Sequence, residues 1–198
     1  TAKKVAIKIT DMKIIMNSKI EMEKSVATAL AFGIRTDTLG FTRSFNAVDL
    51  RALSWLGAWI DWDLMRRFET PPRSQEVLDI FKQALTNASL EGGLMLAPIG
   101  EMVDRDAIAQ VADFLLPTEG VDTVITFGIR RSKVILSART TKEGLHIGKE
   151  LSQLFPKGRA GGHKSLAGGQ IPFEDIKCLN AEEALEQIEL ILRDNFGG

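Results

Sequence analysis

The chain has 198 residues, 44% of them hydrophobic and 26% charged, with 25 Lys and Arg against 26 Asp and Glu. That length makes one domain or two small ones with a self-sufficient core, and the composition excludes disorder. A net charge of -1 excludes a generally basic nucleic-acid coat, while a local basic face stays open. A single cysteine, Cys178, excludes an internal disulfide and a cysteine-based zinc site, which points to a reducing, cytoplasmic compartment. No apolar run approaches the roughly 20 residues that span a bilayer, so no membrane partner is expected. Thr1-Ala2-Lys3-Lys4 has neither an initiator Met nor the apolar core of a signal peptide. A start that has been processed, or cut from something longer, is the expectation.

In chain order, Val5, Ile7 and Ile9 alternate as in a strand, and Met12, Ile15, Met16 and Lys19 have looser, helical spacing. From Ser25, the residues Val26, Ala29, Leu30 and Ala31 predict a buried helix that stops at Gly33. A turn follows over 33–41, bracketed by glycines. Asn46 is a suitable N-cap, with Asp49 in the acidic first turn of a helix carrying Val48, Leu53, Leu56 and Ile60. Trp55, Trp59 and Trp62 fall at i, i+4 and i+7 and are expected on one helical face as packing. Pro71-Pro72 ends this region, and Ser74 caps a helix through Val77, Leu78, Phe81 and Leu85.

The character then changes from helical to alternating. Residues 93–98 suit a strand, 104–116 a helix, and 121–129 and 133–139 two strands joined at Arg130-Arg131-Ser132. Residues 145–155 make an amphipathic helix begun by a structural His146. A glycine-dense loop over 158–169 leads to a strand at 170–173, and 181–192 is a last helix. The alternation implies an α/β layer rather than a bundle.

Three clusters can carry chemistry. Asp37, between Thr36 and Thr38 on the 33–41 turn, can reach a hard divalent cation with the hydroxyls orienting it; the competing reading is an Asp that merely stabilises a turn. The glycine-dense stretch with Arg159, Gly161, Gly162, His163 and Lys164 offers backbone N–H groups and cations to a phosphate. It lacks the Gly-Lys-Ser/Thr ending of a nucleotide P-loop. Ser137-Ala138-Arg139 ends a strand, where Arg139 can clamp a phosphate bidentately or simply lie along the surface. Only two histidines occur, which excludes a His-rich metal site, and the sequence has no Gly-x-Ser-x-Gly elbow and nothing that resembles a Ser-His-Asp constellation.

The stretch Gly33-Ile34-Arg35-Thr36-Asp37-Thr38-Leu39-Gly40-Phe41 resembles the last metal motif of the DHH phosphoesterases, Gly-Ile-x-x-Asp-Thr-x-x-Phe. Ala160-Gly161-Gly162-His163 with Ala167-Gly168 resembles the Gly-Gly-Gly-His…Ala-Gly signature of the DHH-associated C-terminal domain, with Ala160 in place of the first glycine. Their order, with Ser137-x-Arg139 between them, strengthens the match over about residues 25–175. The group includes RecJ-like nucleases, nanoRNases that are also 3′-phosphoadenosine-5′-phosphate phosphatases, and exopolyphosphatase-related proteins.

The resemblance implies an α/β chain: a helical C-terminal remnant of a DHH catalytic domain over 1–72, a linker helix over 73–91, and a smaller substrate-binding domain over 92–198. It also implies Asp37 as catalytic residue and as one ligand of a two-manganese centre. Arg139, Gly161, Gly162 and His163 would hold the phosphate of a nucleotide or short oligonucleotide. The family chemistry is hydrolysis by a metal-bound hydroxide. The remaining motifs, Asp-x-Asp and Asp-His-His, lie N-terminal to the Asp37 motif in the family, and only 36 residues precede Asp37 here. Asp11 is the sole Asp among them. The chain is therefore expected to be inactive alone, to need the missing N-terminal DHH portion as its partner, and to allow a homodimer. The alternative is a non-catalytic module that binds phosphate, nucleotide or RNA.

Overall fold

The computed structural model describes residues 21–42, 45–101 and 105–197, and the chain divides after Pro72 into two compact units. The strand expected over 5–9 and the helical spacing of 12–19 lie outside the described residues.

In the first unit, α1 (Lys24–Asp37) runs through Gly33 and ends on Asp37 itself. Glycine inside a helix costs about 1 kcal/mol relative to Ala, which does not stop a helix whose opposite face is buried. Ala27, Thr28 and Ala31 provide that face. The helix stops where Leu39 and Gly40 take positive φ and the Gly40 amide donates back to the Arg35 carbonyl at 2.7 Å.

A reciprocal Asn46–Asp49 capping box starts α2 (Ala47–Leu56), as expected. The helix then breaks, because Asp61 turns its carboxylate onto the Asp63 and Leu64 amides and caps a separate α3 (Trp62–Glu69). The three tryptophans therefore do not share one face. Trp55 and Trp59 pack with ring centroids 4.8 Å apart, and Trp62 is exposed at the start of α3. Thr28 fastens the unit: its hydroxyl donates to the Lys24 carbonyl at 2.7 Å and accepts from the Asp61 amide at 2.9 Å.

The second unit holds α4 (Gln75–Asn87), β1 (Ser89–Glu91), β2 (Leu94–Glu101), α5 (Arg105–Leu115), β3 (Thr123–Ile129) and β4 (Lys133–Thr140). These are followed by α6 (Ile147–Leu154), β5 (Ala160–Gly162), β6 (Leu166–Pro172), a 3₁₀ turn (Phe173–Ile176) and α7 (Ala181–Phe196). The strands form one sheet in the order β1-β2-β3-β4-β6-β5, parallel only between β2 and β3, where α5 makes the crossover. α4 and β1, read as a linker from sequence, pack within this unit. Val77, Ile80 and Ala84 of α4 join Met95, Ala97 and Ile99 of β2 and Ile108, Val111 and Ala112 of α5 in one core. The opposite face of the sheet carries a second core, with Ile147 and Leu151 of α6 and Ile188 and Leu192 of α7. β3 is buried along its whole length because helices cover both its faces. β2 runs past Pro98 because β1 pairs only as far as Leu96, so the missing N–H interrupts no ladder there.

Arg193 of α7 closes the β1 edge with bonds to Glu91 (2.9 Å), Ser89 (2.8 Å) and Glu189 (2.7 Å). Its hydrogen bond to Glu189 above all raises the guanidinium pKa. An Arg193→Ala change should cost about 1 kcal/mol in urea unfolding, a modest figure because the group is a third exposed. Burial first, and Glu183 second, push the Cys178 thiol up. It should therefore react with iodoacetamide severalfold more slowly at pH 8 than a free thiol, and an equal rate would contradict that burial.

Candidate phosphate site

The stretch read as a loop over 158–169 is an antiparallel hairpin. Gly161 pairs with Gly168 and Gly162 with Ala167, so β6 begins at Leu166 rather than at 170. Glycines are poor strand formers, and what imposes the pairing is α6 lying directly on β5. A Cβ on Gly148 would overlap the Gly162 backbone, and one on Gly162 would overlap the Leu166 carbonyl. The first amides of α6 then strap the turn, Ile147 N–H donating to the Lys164 carbonyl and Gly148 N–H to the His163 carbonyl, both at 3.1 Å. His146 is structural as expected, its Nδ1 capping the Lys149 amide at 3.2 Å. These partners occupy the helix N-terminus, so α6 is not where an anion docks.

The strand register sets three rows across β4, β6 and β5 on the face that α5 borders. Arg139 stands opposite Leu166, and the His163 amide bonds the Leu166 carbonyl at 2.8 Å, which aligns Arg139, Leu166 and His163. Ser137, Gly168 and Gly161 form the next row. Ile135, Gln170 and Arg159 form the third, closed by the Gln170 amide on the Arg159 carbonyl at 2.8 Å. Four sequence-predicted residues, Arg139, Gly161, Gly162 and His163, therefore gather at one end of one sheet. Gly161 sits at φ 152°, a conformation L side chains rarely adopt.

Arg139 is not the free clamp expected. Its Nε donates to Asp113 Oδ1 at 2.6 Å and its Nη2 to Asp113 Oδ2 at 3.4 Å, while Nη1 serves Ser137 Oγ and the Ala138 carbonyl. Those bonds engage all but one of its five N–H groups, leaving one Nη2 hydrogen to offer. The side chain is 15% exposed and held rigidly. Asp113 was missed from sequence because it lies 26 residues away on α5, and nothing local marks the pair. His163 is exposed, and its ring has no partner among the described residues.

In the first unit, Asp37 is exposed at the C-terminal end of α1. The neighbouring hydroxyls do not orient it. Thr36 donates to the Phe32 carbonyl and Thr38 to the Ile34 carbonyl, both at 2.8 Å. Among the described residues no three His, Cys, Asp or Glu gather to hold a metal ion, so they do not fit a two-manganese centre. No helix among them is long and apolar enough to cross a membrane.

A groove of about 490 Å³ runs over the second and third rows, with Ile108 and Ala109 of α5 as its wall and Lys133 and Arg159 at its far end.

Comparison with known proteins places this geometry. The DHHA1 domain model matches residues 91–194. An uncharacterized protein of Methanocaldococcus jannaschii is 35% identical over 175 residues, 88% of this chain and 36% of that protein. An exopolyphosphatase-related protein from Bacteroides fragilis superposes with a TM-score of 0.69 at 20% identity, covering 87% of this chain and 51% of its own. RecJ from Thermus thermophilus, crystallised with Mn2+, is a looser match, with a TM-score of 0.42 and 16% identity over 85% of this chain and 22% of its own. The chain thus spans about a third of the curated relative and half of the B. fragilis structure. With its sheet, its glycine hairpin and more than half its length inside that match, the chain belongs to the DHHA1 domain family, the domain associated with DHH phosphoesterases.

Proposed function

We propose that this chain is the substrate-holding part of a DHH phosphoesterase and that its second unit binds the phosphate of a nucleotide or short oligonucleotide. The observation that carries this reading is the row Arg139, Leu166, His163, with a fixed guanidinium and an unpartnered imidazole at either side of a glycine hairpin. Arg139 is set in place before any ligand arrives, so it loses little entropy on binding. Its single remaining N–H and the His163 ring supply directed donors, and the glycine backbone lets an anion approach closely. A covalent nucleophile is not needed for holding a phosphodiester. In this reading the two-metal hydrolysis belongs to a protein in which Asp37 meets further ligands outside the described residues.

Calorimetric titration of the chain with a 5′-phosphorylated dinucleotide tests it. Arg139→Ala and His163→Ala should each weaken binding about tenfold, the scale of one charge-assisted hydrogen bond. A flat titration with the unaltered chain contradicts the reading.

A further inference from the structure

We propose that the groove beyond the Arg139 row is a second subsite, with Gly168 as a bed for a nucleobase and Arg159 with Lys133 as the anchor of a second phosphate. The substrate class is then an oligonucleotide longer than a dinucleotide. This rests on the phosphate reading above and extends it along the sheet.

The middle row provides the first argument. Ser137, Gly168 and Gly161 place almost no side-chain mass on the floor between the two outer rows. The glycines of this hairpin are not alike. Those at 148 and 162 are forced by backbone overlap, and at 169 a Cβ would sit 2.9 Å from the Ala160 Cβ. At Gly168 a Cβ would meet only the Leu136 carbonyl oxygen at 3.4 Å, and its φ is not positive. Packing does not require glycine there, although glycine weakens a strand. Such a position marks close approach by something else. Ile108 and Ala109 supply an apolar wall beside this floor, which suits a flat base better than an all-phosphate chain.

The far end provides the second argument. Arg159 gives its Nε to Asp175 at 2.5 Å, and its Nη donors meet no acceptor among the described residues. The Lys133 ammonium is likewise without a partner among them, and exposed. Arg131 is exposed beside it on a two-residue β3–β4 turn, where Arg131 (φ 50°) and Ser132 (φ 56°) both take left-handed backbone. That turn favours Asn-Gly, so a basic side chain stands there at the cost of about 1 kcal/mol per residue. The carboxylates nearby are Asp175, which orients Arg159, and Asp106 on the groove wall. From the Arg139 row to the Arg159 row is four residues of strand, about 14 Å, a distance that a chain of linked nucleotides spans and one phosphate does not.

Calorimetry with a dinucleotide, a pentanucleotide and a polyphosphate of matched charge tests the proposal. The pentanucleotide should bind at least tenfold tighter than the dinucleotide. Lys133→Glu should remove most of that gain and leave dinucleotide binding within twofold, and Arg159→Ala and Gly168→Val should each weaken the pentanucleotide at least tenfold. Lys133→Glu disturbs no native contact, so it remains informative even where another variant folds poorly. In the Lys133→Ala chain the salt dependence of pentanucleotide binding should fall by ~0.7 in log–log slope, one phosphate contact. Equal affinity for the two oligonucleotides overturns the second subsite while leaving the phosphate reading intact. Polyphosphate binding as tight as the pentanucleotide overturns the base bed. Failure of the dinucleotide itself to bind overturns the phosphate reading, and the subsite with it.

Discussion

A Gly148→Val substitution is expected to destabilise the α/β unit by about 3 kcal/mol or more, measured by urea unfolding. Helix propensity alone argues the opposite, because a side chain inside an exposed helix generally improves on glycine by a few tenths to 1 kcal/mol. The contact geometry decides the sign. A Cβ at this position would overlap the carbonyl of Gly162, which is backbone and cannot swing aside. Either α6 lifts from β5 or β5 leaves the sheet, and both break the Ile147 and Gly148 amide bonds that strap the hairpin turn. Even Gly148→Ala should destabilise. The contrast is Gly168→Val, in which the strand gains a β-former whose Cβ meets only one carbonyl oxygen, at 3.4 Å. Its stability should stay within about 1 kcal/mol of the unaltered chain. A stable Gly148→Val chain would show that the hairpin is not held by this contact.

In a longer protein carrying the other metal motifs, as the proposed DHH phosphoesterase reading implies, Asp37→Ala is expected to lower manganese-dependent hydrolysis of a dinucleotide by at least about a hundredfold. Asp37 is exposed and ends α1, where the helix macrodipole presents its negative end. Carboxylate and dipole both favour a cation at that point, and no hydroxyl from Thr36 or Thr38 competes for it, since each is returned to a backbone carbonyl. Asp37→Asn keeps the shape and removes the charge, so a parallel loss in that variant with an unchanged melting temperature separates metal binding from folding. Undiminished turnover in both variants contradicts a ligand role for Asp37.

Much of the fold was legible because its signals are local. Asn46 and Ser74 accept hydrogen bonds from the first helical amides, as their side-chain chemistry predicts. The β3 and β4 runs are apolar and bounded by a turn. Three features were hidden for physical reasons. The break after Leu56 depends on Asp61 preferring to cap α3, a choice that a periodic tryptophan spacing masks. Gly33 looked like a stop, but burial of Ala27 and Ala31 outweighs its entropic cost. The part of the hairpin over 160–169 was read as a loop because its pairing comes from α6, and its glycines, alanines and polar residues have little strand preference. Gly148 was the available signal, a single glycine inside an amphipathic helix followed by a run of glycines.

At the site, residue types carried the reading further than residue positions. Arg139, Gly161, Gly162 and His163 were named from sequence, and the sheet gathers them at one end. What sequence could not provide is occupancy. Asp113, Ser137 and the Ala138 carbonyl together take four of the five Arg139 N–H groups, whereas Arg159 gives up only its Nε, to Asp175, and Lys133 has no partner among the described residues. Hydrogen-bond partners distant in sequence leave no local trace, so the better-supplied cations were the less conspicuous ones.

The most direct test of phosphate binding at the Arg139 row is a map of backbone amide shifts as a 5′-phosphorylated dinucleotide is added to the 15N-labelled chain. The largest shifts are predicted at Gly161, Gly162, His163 and Leu166 and at Ser137 and Arg139, with α4 and α7 unmoved. Shifts centred on α4 or α7, or none at saturating ligand, would contradict it.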